Sequence, residues 1–172
     1  MFRIAVVLVF TRVTINKGSA LDGRFGYGFS TITGGSGDDH FINGTVMDGG
    51  AGDDLLVRTD GGGTLTGGAG ADVFEIQHNR DYDGHGYLTV SETTRITDFT
   101  PGEDRISLVV SYDEHYVDPD GRVYDNDPPE ITLVEDADTG ETHVMVNNSI
   151  ALHLEGVSGL TLADIEVELR AY

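Results

Sequence analysis

The chain has 172 residues, enough for one domain with a core, and carries thirty acidic against ten basic side chains for a net charge of −20. That balance argues against nucleic acid or an anionic membrane as a partner, and no apolar stretch is long enough for a helix to span a bilayer. Cysteine is absent, which removes a disulfide framework, a thiolate metal site and a thiol nucleophile together.

In chain order, Met1 to Phe10 holds one basic residue, Arg3, followed by an apolar run from Ile4 to Phe10. Two readings stay open for it: a cleaved signal segment, or the start of a β structure. Thr11 to Asn16 alternates polar and apolar residues as a half-buried strand does, and such a strand would cover the exposed end of a repeat stack. Residues 1–24 are therefore expected to form an N-terminal strand or cap.

A repetitive segment follows. One nine-residue phrase is written three times, at Gly34 to Ile42, Gly49 to Val57 and Gly67 to Glu75. Glycine holds positions one, two and four, aspartate holds position six (Asp39, Asp54, Asp72), and a large apolar residue holds position eight (Phe41, Leu56, Phe74). Glycine permits positive φ and close backbone approach, so the first six residues read as a tight turn. The last three read as a short strand with one side chain pointing inward. Stacking the turns brings carboxylates together, and like charges that close repel unless a cation neutralises them. A hard cation held by carboxylate and turn-carbonyl oxygens does so, and calcium, which accepts six to eight oxygens in flexible geometry, suits such a cage better than magnesium. The expected ligand residues are Gly35, Gly37 and Asp39, then Gly50, Gly52 and Asp54, then Gly68, Gly70 and Asp72.

Spacing sets the stack. Gly49 and Gly67 lie 18 residues apart, two nonapeptides, and the stretch between them is a decayed copy retaining Gly61 and Leu65. Gly34 and Gly49 lie only 15 apart, which predicts a shortened coil whose opposite turn is Asn43-Gly44-Thr45. All three intact turns then fall on one side, with cation sites between Asp39 and Asp54 and between Asp54 and Asp72. Phe25 to Thr33 reads as a further worn copy, with Gly26, Gly28 and Ile32 in place. On these motifs the chain resembles the haemolysin-type (RTX) repeat proteins, whose nonapeptides build a calcium-bound parallel β-roll. The resemblance implies such a roll over residues 25–75.

Beyond the repeats, Asp81 to Glu92 fits the spacing of an EF-hand loop, with Asp81, Asp83 and Glu92 as candidate ligands, but His85 is a poor calcium ligand and the flanks read as strands. A solvated loop is the alternative. Arg95 to Leu108 resembles the I-x-D-F-x-x-G-x-D-x-I-x-L segment that follows the repeats in the C-terminal domain of serralysin-type peptidases. There Pro101-Gly102 makes a turn, while Asp98 and Asp104 accept turn amides or hold a cation. Tyr112 to Glu130 is acidic and turn-rich and reads as a long surface loop. Ile131 to Val134 and His143 to Val146 form an expected hairpin around Asp138-Thr139-Gly140, and Ile150 to Val157 a further strand. Leu154 to Ile165 resembles the close of RTX C-terminal domains, which implies an uncleaved type I export signal. Residues 76–172 are thus expected to form an antiparallel, sandwich-like β cap carrying that signal.

Catalytic signals are lacking. There is no His-Glu-x-x-His, no Gly-x-Ser-x-Gly, and the six histidines (His40, His78, His85, His115, His143, His153) are scattered along the chain. The expectation is an all-β, non-enzymatic, extracellular module that binds Ca2+ and leaves the cell by the type I secretion apparatus. Two further readings are a polysaccharide-binding module like the R-modules of alginate epimerases, with Tyr27, Tyr82, Tyr87 and Tyr116 as stacking platforms, and a fragment of a larger exoenzyme or toxin.

Overall fold

The computed structural model describes residues 2–3, 11–14, 21–24, 30–59, 62–79, 81–82, 88–89, 93–112, 114–117, 120–125 and 127–171. Its strands are β1 (Phe2–Arg3), β2 (Thr11–Thr14), β3 (Leu21–Arg24), β4 (Ser30–Thr33), β5 (His40–Ile42), β6 (Val46–Ala51), β7 (Leu55–Arg58), β8 (Gly63–Ala69) and β9 (Val73–Asn79). They continue as β10 (Asp81–Tyr82), β11 (Leu88–Thr89), β12 (Thr94–Ile96), β13 (Arg105–Tyr112), β14 (His115–Val117), β15 (Val123–Asp125), β16 (Ile131–Asp136), β17 (Glu141–Val146), β18 (Ser149–Leu154) and β19 (Ile165–Ala171). Among the described residues the only helical element is a 3₁₀ turn at Leu162–Asp164.

From β1 to β9 successive strands alternate between two sheets, which the later strands extend, while β10-β11 and β14-β15 pair apart from them. One runs β1-β3-β5-β7-β9-β13-β19 and is parallel throughout. The other runs β2-β4-β6-β8-β12-β18-β17-β16 and is parallel from β2 to β18. This is the parallel roll that the nonapeptides predict, and its register carries their spacing. Phe41 pairs with Leu56 across the 15-residue coil, and Leu56 with Phe74 across the 18-residue one. The shortened coil turns at Asn43-Gly44-Thr45, as expected, with Asn43 in the left-handed region at φ 64°.

The core is two facing columns of side chains. Phe41, Leu56, Phe74 and Ile106 descend one sheet, and Ile32, Met47, Leu65, Ile96 and Leu154 the other, all fully buried. Each such side chain contributes about 1.5–3 kcal/mol on burial. Between β4 and β8 each strand buries one apolar residue, except β7, which buries Val57 beside Leu56. The roll thickens toward the C-terminus, where Ile76, Leu108, Val110, Val144, Val146 and Leu152 are also buried.

The expected sandwich-like cap takes a different form. Strands β12, β13, β18 and β19 extend the roll's own two parallel sheets, which run past residue 75 without a break, and antiparallel pairing in them is confined to β16-β17-β18. The reason lies in residues 97–104, which cross between sheets as one more turn and lay Ile96 and Ile106 onto Leu65 and Phe74. The hairpin around Asp138-Thr139-Gly140 forms as read, with Gly140 at φ 72°. Tyr112 to Glu130 is not loop alone: β14 and β15 pair antiparallel there, their Val117 and Val123 ends exposed. The turn signals at Asp120-Gly121 mark the hairpin's tip rather than a featureless loop. At the N-terminus, Thr11–Thr14 is a strand as expected and forms the edge of its sheet.

Candidate metal centre

The three glycine turns stack along one side of the roll. Gly50 pairs with Gly68 and Ala51 with Ala69, while Ser36 bridges to Ala51. The turns need glycine for two separate reasons. Gly50, Gly52, Gly68 and Gly70 adopt φ between 105° and 133°, which other residues reach only under strain. Gly49 and Gly67 are excluded from bearing a side chain by the aspartate of their own turn: a Cβ would stand 2.1 Å from Asp54 Oδ2 and 2.1 Å from Asp72 Oδ2 respectively.

Position-six carboxylates lie inside this stack, with Asp39, Asp54 and Asp72 at 3%, 1% and 1% exposure. They form a ladder from coil to coil. Asp39 N donates to Asp54 Oδ1 at 2.7 Å, Asp54 N to Asp72 Oδ1 at 2.9 Å, and Asp72 N to Asp104 Oδ1 at 2.9 Å. Asp39 differs in accepting an amide of its own turn, that of Gly35, on Oδ2 at 3.0 Å. The second oxygens of Asp54 and Asp72 are buried and have no hydrogen-bond partner. Burial, chiefly, pushes the Asp54 carboxyl up to about 7, with Asp72, Asp39 and Asp38 adding repulsion against the lowering by the Asp39 amide. Asp72 is raised for the same leading reason, with Asp104, Asp98 and Asp53 contributing.

A buried acceptor left unpaired is costly, and a row of them between stacked turns asks for a positive partner. The neighbourhood offers oxygen alone: carboxylates and the carbonyls of Gly35, Gly50 and Gly52, which crowd the glycines of the next turn. That donor chemistry fits a hard divalent cation of the calcium type. The residues expected from the repeat, Gly35, Gly37, Asp39, Gly50, Gly52, Asp54, Gly68, Gly70 and Asp72, are brought together along this side.

Asp98 and Asp104 close the stack. Asp98 accepts Gly67 N and Gly68 N at 2.9 and 2.8 Å, one on each oxygen. Asp104 accepts Asp72 N on Oδ1 and Thr100 N on Oδ2 at 2.7 Å. Both accept turn amides, one of the two roles the sequence allows them, and residues 98–104 thereby cover the last glycine turn. A second ladder was not anticipated. Asp38 Oδ1 accepts Asp53 N at 3.0 Å and Asp53 Oδ1 accepts Ala71 N at 2.9 Å, ending where the third copy has alanine. The available signal was the aspartate at position five of the first two copies. In the EF-like stretch, Asp81 opens β10, which pairs with β11. Asp83 and Glu92 lie outside the described residues. So do Tyr27 and Tyr87, whereas Tyr82 and Tyr116 sit on β10 and β14.

No model of a known protein family matches this chain, and no curated protein matches it. Among solved structures, it is similar to the solution structure of the AlgE6R3 subunit from the Azotobacter vinelandii mannuronan C5-epimerase, at a TM-score of 0.51 and 23% sequence identity over 88% of this chain and 80% of that one. The likeness at that identity is one of fold, an all-β arrangement of parallel sheets.

Proposed function

We propose that this chain is a calcium-binding RTX-type β-roll module of a secreted bacterial protein, a folding and binding unit and not an enzyme. The observation that carries the reading is the pair of buried, partnerless oxygens, Asp54 Oδ2 and Asp72 Oδ2, set between glycine turns. Asp39, Asp54 and Asp72 with the neighbouring turn carbonyls would hold the ions, and bound calcium supplies the positive charge that these carboxylates lack. The chain's own part is to order the turns. Without neutralisation, an excess of acidic side chains and a roll with a thin apolar core favour an extended chain, able to pass a type I secretion channel. Outside the cell, ligation becomes folding free energy, and affinity of about 10⁻⁴–10⁻³ M suits an extracellular module.

Far-UV circular dichroism with a calcium titration from chelator-treated protein tests this. A gain of β signal with calcium is the expected result, and a β spectrum indifferent to calcium overturns it.

The fold similarity to an epimerase subunit favours one second reading, a polysaccharide-binding module. The charge of −20 disfavours a polyanion as its ligand and leaves neutral or cationic glycans. Glycan-array binding by the calcium-loaded protein, or its absence, decides that reading.

A further inference from the structure

A second cluster of metal-ligating side chains lies away from the glycine turns, beside β12. Along β17, Thr142, Val144 and Val146 are buried while Glu141, His143 and Met145 are half-buried on the opposite, outward face. On β18, Leu152 and Leu154 point inward and His153 outward. A bulge between Val144 and Met145 shifts the pairing by one residue, so that His143 stands directly across from His153 instead of from Leu152. The two imidazoles meet edge to face, with centroids 4.5 Å apart at 79°.

We propose that Glu141, His143 and His153 form a binding site for one divalent transition-metal ion of the zinc class, distinct in place and chemistry from the oxygen-lined turns. His143 Nε2 lies 3.5 Å and His153 Nδ1 3.6 Å from Glu141 Oε2, and the three ligand atoms all lie within 4.8 Å of one another. Those separations are long for hydrogen bonds, and both ring nitrogens are buried without a hydrogen-bond partner. They suit a shared ion: two ligands about 2.1 Å from a tetrahedral zinc stand about 3.4 Å from each other.

The surroundings fix the carboxylate. Arg95, on the neighbouring β12, donates from Nη1 to Glu141 Oε1 at 3.2 Å and also to Glu155, leaving Glu141 Oε2 turned toward the two rings. Such an outer partner orients a ligand and sets its charge. Two imidazole nitrogens and one carboxylate oxygen select zinc, cobalt, nickel or copper over calcium, which prefers an all-oxygen shell. With side chains 15–21% exposed, three protein ligands leave a fourth position open to water. An ion there ties β17 to β18 across the bulge, at the antiparallel end of the sheet.

The test uses tag-free, calcium-loaded full chain. Calorimetric titration with Zn2+ should show one equivalent, and Co2+ should give the visible spectrum of a four- or five-coordinate ion that Zn2+ then abolishes. His143→Asn and His153→Asn should each weaken zinc by about 100-fold or more with the calcium-induced β spectrum retained, while His115→Asn changes nothing. Should those variants not fold, the unaltered protein still decides: on adding Zn2+, the NMR ring signals of His143 and His153 must shift and those of the other histidines must not. No zinc uptake, uptake unaffected by both substitutions in folded protein, or ring shifts at other histidines would overturn the proposal.

Discussion

The backbone amide of Asp39 donates a 2.7 Å hydrogen bond to Oδ1 of Asp54, one coil further along, while Oδ2 of the same carboxylate is buried with no partner. One oxygen of Asp54 is thus spent on holding the coils in register, and the other is left for a ligand. The two roles can be separated by mutation.

Asp54→Asn keeps an oxygen for the Asp39 amide and removes the charge. The ion-free chain should become more stable, because a buried anion is lost, while the calcium midpoint rises by about tenfold or more. Thermal melts in chelator and a calcium titration followed by circular dichroism check both signs. A variant less stable in both conditions would mean that Asp54 serves packing alone.

The raised Asp54 carboxyl also predicts opposite pH trends with and without calcium. Between its ordinary value of 3.8 and about 7, the folded ion-free chain holds a proton that the unfolded chain has released. Stability in chelator should therefore fall as pH rises through that window. Calcium can bind already folded turns only once that proton leaves, so there the calcium midpoint should climb as pH falls below about 7, by up to about tenfold per pH unit. A chain that folds only on binding, its Asp54 already ionised, should show no such climb. Denaturant melts and calcium titrations at several pH values measure the two slopes.

Gly67→Ala should abolish the calcium response, since the new Cβ would stand 2.1 Å from Asp72 Oδ2. Gly102→Ala is the comparison: nothing lies within 4 Å of its Cβ, so only the strain of φ 87° is felt, about 1–2 kcal/mol. Equal effects of the two on the calcium midpoint would contradict a carboxylate-filled turn.

Asp104→Ala removes the acceptor of both the Asp72 and Thr100 amides, and should cost about 1–3 kcal/mol in calcium-loaded protein by denaturant melt. Loss confined to calcium affinity, with stability at saturating calcium unchanged, would assign Asp104 to ligation instead.

Hydrogen exchange in chelator should divide the chain. The stretch from β5 to β8, with one buried apolar residue per strand and two on β7, should exchange freely, while β13, with five, keeps protection. Uniform exchange would mean that the roll folds as a single calcium-dependent unit.

Much of the fold was legible because a repeat writes its geometry at fixed spacing. The glycines at positions one, two and four, the aspartate at six and the apolar residue at eight foretell turn, carboxylate and core column, and intervals of 15 and 18 residues foretell which residues pair. Strand β12 falls in a flank that reads as a strand, but nothing local marks it or β13 as further coils of the same roll. Their partners β8 and β9 lie 31 and 32 residues back, beyond any local period, because residues 80–92 intervene. Likewise β14 and β15 were hidden under the acidic turn residues that surround them.

The sequence by itself determined the local chemistry: an acidic, cysteine-free chain whose turns demand glycine and whose carboxylates recur where stacking makes them repel. Only the tertiary structure decided which atoms of those carboxylates are spent on amides and which stay unpartnered, because that depends on coil-to-coil register at the scale of one hydrogen bond. It also decided that His143 and His153 are neighbours. A single-residue bulge turns a histidine instead of a leucine toward the opposing imidazole, and pairing parity, unlike residue type, is set only once the strands are side by side.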